Sequence, residues 1–285
     1  MSRIAYVNGR YLPHAEAGVS IDDRGFQFAD SVYEVCEVIG GQLVDERRHM
    51  ARLQRSLDRL HMARPLTERA LAVVMRETIR RNRVIDGIVY VQVTRGQMRR
   101  DFLFPPDGTP ASLVVTARNN DLSKIEARAT KGIAVATVPD ERWRHVDIKS
   151  VSLLPNVLAK QVARGQGAQE AWLVDARGYV TEGASSTAWI VTRDGVLVTR
   201  PLGGDILPGI TRSVVLDLVA EQGLRFEERA FTIEEAYAAR EAFITSASQS
   251  VMPVTAIDGR PVANREPGSV ATGLRRDYHN QAEFT

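Results

Sequence analysis

Thiols and primary amines are both scarce in this chain. Of 285 residues only Cys36 is a cysteine, and of 37 basic residues only four are lysines: Lys124, Lys131, Lys149 and Lys160. A lone thiol excludes a disulfide framework and any metal site built from several cysteines. No apolar run approaches the ~20 residues that span a bilayer. The opening stretch, Met1 to Tyr6, lacks the long apolar core of a secretion signal, so a cytoplasmic setting is expected by default. Neither sign of charge prevails: 37 basic residues face 35 acidic ones, the net charge is +2, and the two signs are interleaved. With aromatics at 6% as well, neither a nucleic-acid partner nor a membrane surface is expected. Also missing are a GxxxxGK[ST] phosphate loop, HExxH, Ser-x-x-Lys and GxSxG. Gly165-Gln166-Gly167 follows a helical pattern instead of opening one, which argues against a dinucleotide fingerprint.

What is present organises into two parts. Ala5 to Leu12 reads as a hairpin turning at Asn8-Gly9, and Tyr33–Ile39 as a strand turning at Gly40-Gly41 into Gln42–Val44. Helical spacing of Met50, Leu53, Leu57 and Leu60 predicts a helix over 46–62, and Leu71, Val74, Met75 and Ile79 predict another after Thr67. Strands are expected at 88–94 and 112–117. The polar stretch Arg118–Ser123 reads as a linker. Beyond it, strands are expected at 133–138, 170–175, 179–181, 187–192 and 196–199. Helices are expected at 154–164, at 210–222 and after the capping box of Thr232 and Glu235. The expected division is a small N-terminal domain over 1–118, a linker over 119–123 and a larger domain over 124–285 with mostly antiparallel strands. The fold class is α+β.

The four lysines matter because imine chemistry needs an amine that can lose its proton, which arginine cannot do. Lys124 falls in the linker, Lys131 in a turn before a glycine, and Lys160 on the outer face of a helix; all three read as solvated. Lys149 stands in Val146–Val151, where strand-like alternation sets it opposite Ile148. An ordinary edge-strand lysine is the plain alternative to an amine drawn into the interior, where the proton is lost more easily. Ile206–Arg212 runs straight into a helix, so Gly209, Ile210 and Thr211 offer backbone N–H groups as a phosphate cradle. A plain helix start with Thr211 as cap is the alternative.

The ordered segments Asp22–Asp30, Val32–Val35, Gln92–Gly96, Asp147–Ser150, Thr181–Ser186, Leu207–Arg212 and Ile244–Ser246 carry a resemblance over nearly the whole chain. It resembles the fold-type IV pyridoxal-phosphate aminotransferases, and within them the D-amino acid transaminases. The resemblance implies pyridoxal 5'-phosphate as cofactor and Lys149 as the residue that carries it through a Schiff base. Glu182 is implied to hold the pyridine nitrogen protonated. Arg52, Ile210, Thr211, Ser246 and the backbone of Ala247 are implied to hold the phosphate, and Leu207 to pack on the ring. Periodicity alone reads Arg52 as a solvated charge, because it lies off the Met50–Leu53–Leu57 stripe.

For the substrate, the resemblance assigns the α-carboxylate to Tyr33 and to Arg100, with Arg99 able to assist and Asp101 able to weaken both. The arginine is expected to reach across from the partner subunit, which implies a homodimer. Phe102 stands where the family places a histidine, and a phenyl ring cannot donate to a carboxylate. The reaction implied is transfer of the amine of a D-amino acid such as D-alanine to a 2-oxo acid such as 2-oxoglutarate. The alternatives on the same fold are an (R)-selective amine transaminase, which Phe102 favours, a branched-chain aminotransferase and an aminodeoxychorismate lyase.

Overall fold

The computed structural model describes residues 3–285. These divide into two compact units: the first comprises residues up to Leu122 together with Ile148–Ser152 and Glu283–Thr285, and the second Ser123–Asp147 with Leu153–Ala282.

The first unit begins with the expected hairpin, β1 (Ile4–Val7) and β2 (Arg10–Pro13). Asn8 and Gly9 both take positive φ, 45° and 92°, the geometry that twists a two-residue turn with its strands. A five-residue helix α1 (Arg24–Phe28) follows, then β3 (Ser31–Ile39), β4 (Gln42–Leu43), helices α2 (Glu46–Arg59) and α3 (Glu68–Asn82), and strands β5 (Gly87–Thr94) and β6 (Ser112–Asn119). Thr67 caps α3 by accepting the amide of Ala70, an interaction typically worth about 1 kcal/mol. The strands form one sheet in the order β2-β1-β6-β5-β3-β4, and all its pairs are antiparallel. Met50, Leu53 and Leu57 of α2 and Leu71, Met75 and Ile79 of α3 pack with Val32, Cys36, Val89, Val91 and Val115 into one core.

The helix α4 (Leu122–Lys131) replaces the expected linker and turn. Its spacing is amphipathic: Ile125 and Ala129 are buried while the charged residues between them face outward. Lys124 and Lys131 therefore sit on a helix. β6 also runs to Asn119, through positions read as linker.

The second unit continues with β7 (Ile133–Pro139), α5 (Leu154–Gly165), β8 (Glu170–Val174), β9 (Val180–Gly183), β10 (Thr187–Val191), β11 (Leu197–Thr199), α6 (Ile210–Glu221), β12 (Phe226–Glu228) and α7 (Ile233–Ala238). It closes with β13 (Glu241–Ser246), β14 (Ser250–Ile257), β15 (Arg260–Pro261) and α8 (Ser269–Gln281). Its sheet runs β12-β11-β10-β13-β14-β7-β8-β9, with β15 on β14. The β7–β8, β7–β14 and β11–β12 pairs are parallel, so the sheet is mixed. The capping box of α7 is formed in both directions, Glu235 N–H to Thr232 Oγ1 and Thr232 N–H to the Glu235 carboxylate. Val214, Val215 and Leu218 of α6 pack with Trp189, Phe243 and Leu274.

Residues 146–151 are not a strand: 146–148 turn, and Ser150 makes a single bridge to Val32. β4 pairs only with Val38 and Ile39 of β3, so the same edge is open further back along the strand. Residues 149–151 cover it there, with Tyr33 N–H donating to Lys149 O at 2.9 Å and Val151 N–H to Ser31 O at 3.1 Å.

Candidate active site

Within the first unit, Lys149 is fixed by its backbone and leaves its side chain to act. Its carbonyl accepts from Tyr33, and its N–H donates to Ser56 Oγ at 3.2 Å. Ile148 beside it is buried in the core, whereas Lys149 is half-buried, with Nζ 4.3 Å from the centre of the Tyr33 ring. Tyr33 stacks in turn on Tyr90, centroids 5.6 Å apart. Alternation along β3 thus turns Tyr33 to one face and Glu34 to the other.

Glu34 is fully buried and holds Arg52. Nε donates to Oε1 at 2.7 Å and an Nη to Oε2 at 2.8 Å, while His49 Nδ1 lies 2.8 Å from Oε2. Burial opposes a charge on Glu34, yet the Arg52 guanidinium, helped by His49, holds its carboxyl well below the usual range. Burial lowers the pKa of His49, so the neutral ring donates from Nδ1 to the carboxylate, which can only accept. Arg52 is 5% exposed. The solvated reading of Arg52 is corrected here: α2 buries a wide face that includes His49, Arg52 and Ser56, and His49 and Arg52 meet Glu34 on it. Neither Glu34 nor His49 carried a role in the sequence reading; a carboxylate at an inward position of a strand was the available signal.

In the second unit, Glu182 lies buried in β9 and is gripped by Arg142. Arg142 also makes a two-pronged pair with Asp140 at 2.9 and 2.7 Å and donates to Thr181 Oγ1 and Asp205 O. Burial disfavours its charge, but Asp140 and Glu182 raise its pKa. Leu207 N–H lies 3.3 Å from both Glu182 oxygens, so two residues named from sequence meet directly. Arg142 was missed, because nothing in Asp140-Glu141-Arg142 marks one charge for the interior.

Four of the phosphate candidates, Ile210, Thr211, Ser246 and Ala247, belong to this unit, whereas Arg52 belongs to the first. Gly209 is the N-cap of α6 and makes no side-chain cap; Thr211 lies one residue inside the helix, buried, so it is not the cap. The leading amides of a helix have no intrahelical acceptor. At the end of β13, Ser246 Oγ is buried with no hydrogen-bond partner, and Ala247 begins the turn beyond it. A buried hydroxyl left unpaired costs about 1–3 kcal/mol. An oxyanion ligand removes that cost, and a phosphate fits this donor set.

Arg99, Arg100 and Phe102 lie on an exposed loop of the first unit, with Phe102 84% exposed. The guanidinium of Arg100 lies on the face of Phe28 at 4.6 Å. Among the described residues no group of His, Cys, Asp and Glu could hold a metal ion, and no helix is long and apolar enough to cross a membrane.

A family model described as amino-transferase class IV matches residues 31–257. The chain belongs to the class IV aminotransferases. It is similar to the D-alanine aminotransferase of Bacillus licheniformis, 39% identical over 273 residues and covering 96% of this chain and 95% of that one. The D-alanine aminotransferase of Staphylococcus haemolyticus is 36% identical over 279 residues, covering 98% and 97%. Among solved structures, a T.th. branched-chain amino acid aminotransferase with pyridoxamine 5'-phosphate superposes with a TM-score of 0.89 at 27% identity, covering 98% of this chain and 94% of that one. The fold is the α+β fold-type IV architecture, and the enzyme is a pyridoxal-phosphate aminotransferase.

Proposed function

We propose that this enzyme transfers the amine of a D-amino acid, D-alanine in type, to a 2-oxo acid such as 2-oxoglutarate. Lys149 is the amine that carries the cofactor. The observation that carries this reading is the pairing of Lys149 with Tyr33: the only lysine of its unit stands over the ring expected to face the substrate carboxylate. The similarity to D-alanine aminotransferases along the whole chain supports the choice of substrate.

Pyridoxal phosphate, when bound, supplies an electron sink and a carrier for the amine. The chain's own residues do the rest. Lys149 takes the proton from the substrate's Cα and returns it to the cofactor's former aldehyde carbon, C4′. Glu182, kept in place by Arg142 and the Leu207 amide, holds the proton on the pyridine nitrogen, and Leu207 packs on the ring. The amides of Ile210 and Thr211, the Ser246 hydroxyl, the backbone of Ala247 and the Arg52 guanidinium hold the phosphate. Tyr33 and Arg100, with Arg99 near, receive the carboxylate. Arg100 serves a neighbouring copy, so the working form is a homodimer; exposed Ile21, Phe26, Phe102 and Leu103 near this loop suit such an interface. A cytoplasmic setting suits the lone buried Cys36.

Phe102 favours a second reading, amine transfer from (R)-amines without a carboxylate. The absorbance of the purified holoenzyme separates the cases. D-Alanine is expected to shift the cofactor band and L-alanine to leave it; Lys149→Ala should lose the reaction. A shift with L-alanine alone overturns the stereochemical assignment. A shift with (R)-1-phenylethylamine and none with D-alanine selects the second reading.

A further inference from the structure

The segment Asp22–Asp30 belongs to the sequence resemblance but has no part in the chemistry above. It is bound, atom by atom, to the loop that bears Arg99, Arg100 and Phe102. Asp23 Oδ2 accepts from Thr94 Oγ1 at 2.9 Å, and Asp23 Oδ1 from the Gly25 amide at 2.8 Å. Arg24 N–H donates to Gly96 O at 2.9 Å, and Met98 N–H to Asp22 O at 3.2 Å. Gly96 itself takes φ +91°, and a Cβ there would stand 2.1 Å from Pro110 O. The loop therefore leaves the sheet in a direction that only glycine permits.

The Arg24 side chain completes the attachment. It is 4% exposed. Nε donates to Asp30 Oδ2 at 2.8 Å, and one Nη donates to both Asp101 O at 2.8 Å and Leu103 O at 3.0 Å, the carbonyls on either side of Phe102. Asp30 Oδ2 also accepts from Arg95 Nε at 2.8 Å, and Arg95 lies over the Phe104 ring at 3.8 Å. Phe28, one helical turn from Arg24, touches three groups: Arg24 at 4.9 Å, Arg100 at 4.6 Å, and the Phe102 ring at 5.5 Å between centroids. A guanidinium held by its face keeps its N–H edge for a carboxylate.

We propose that Arg24 and Phe28 are positioning residues for substrate recognition: Arg24 clamps the backbone around position 102, and Phe28 sets the plane of the Arg100 guanidinium. This rests on the proposed carboxylate role of Arg100. Such geometry matters because a small misplacement of a binding group weakens the selected interaction without touching the chemistry.

The test uses the holoenzyme and compares single-turnover reaction with D-alanine and with D-alaninol, which keeps the amine centre and lacks the carboxylate. Arg24→Lys keeps the charge beside Asp30 but cannot grip both carbonyls, and Phe28→Leu, at a partly exposed ring, guards against a folding failure of the first variant. Both are expected to raise the concentration of D-alanine that gives half the limiting single-turnover rate about tenfold, with the limiting rate itself within about threefold. The preference for D-alanine over D-alaninol should fall about tenfold, and affinity for pyridoxal phosphate should stay within twofold. Equal losses on both substrates, or no loss in either variant, overturn the proposal. Arg100→Ala separates the two layers. If it leaves the preference unchanged, the carboxylate reading has failed and the proposal falls with it. If it lowers the preference while Arg24→Lys and Phe28→Leu do not, only the positioning role is refuted.

Discussion

Replacing Glu34 by glutamine tests the buried centre of the first unit. Glu34 accepts two hydrogen bonds from Arg52 and one from His49, and neither Glu34 nor Arg52 has appreciable contact with water. Glutamine keeps the volume but leaves the guanidinium buried against a neutral amide. Breaking one side of a buried ion pair costs about 3–5 kcal/mol, whereas replacing both partners with apolar groups is often neutral. The apoprotein should therefore lose stability in Glu34→Gln, read as a urea midpoint lowered by roughly 1–2 M at an ordinary slope. The double variant Glu34→Leu/Arg52→Met should recover most of that loss. The pH dependence has a definite sign. Folding holds the Glu34 carboxyl below its ordinary 4.5, so the unfolded chain takes up its proton first. Stability from this group is then complete above about pH 4.5 and drains away as the pH falls below it. Glu34→Gln should lack that component. A loss under about 1 kcal/mol, with a double variant no better than the single, refutes the account of a charge pair sealed from solvent.

Three further outcomes follow from the site. Ser246→Ala removes a buried hydroxyl that has no partner; the apoprotein should be no less stable, by up to about 1 kcal/mol more stable, while calorimetry should show pyridoxal phosphate bound several-fold more weakly. Arg142→Met strips Glu182 and Asp140 of their shared cation; kcat should fall at least about a hundredfold, the rate equivalent of roughly 3 kcal/mol, with KM for the amino acid little changed in steady-state assays. Phe102→His adds a donor on the exposed loop; KM for D-alanine should drop about three- to tenfold, less than a buried hydrogen bond to a charge would give, and reaction with (R)-1-phenylethylamine should not improve.

The parts of this molecule that periodicity describes were readable, and the reason is local. The Asn8-Gly9 turn, the Thr67 cap and the Thr232–Glu235 box depend on side chains bonding to backbone within a few residues, so their spacing is preserved in the sequence. Helix α4 escaped because only Ile125 and Ala129 mark its inner face, and a two-residue stripe is hard to tell from a polar connection. The strand-like alternation around Lys149 has another origin than a strand. Alternation sets Ile148 inward and Lys149 outward as a strand does, but a single bridge to Val32 and two backbone bonds to the edge of β3 suffice to impose it.

The charged residues of the interior show where reading positions one at a time stops working. Arg52, taken alone on its helix, belongs in water; so do Arg142 and Arg24. Each is buried because a carboxylate outside its own element meets it: Glu34 eighteen residues away, Glu182 forty and Asp30 six. Desolvating either partner alone is prohibitive, and together they are tolerable. The interior placement is thus a property of the pair, which hydrophobic patterning cannot express. The same logic links the pairs to function. Arg52 is proposed for the cofactor's phosphate and Glu182 for its ring nitrogen, and within its own unit each is held by an ion of opposite charge. A site that must bind a phosphate and stabilise a cationic ring without rearranging gains from having its charges oriented before the ligand arrives. On that proposal Glu34 and Arg142 should matter to the reaction although neither is assigned a contact with the cofactor.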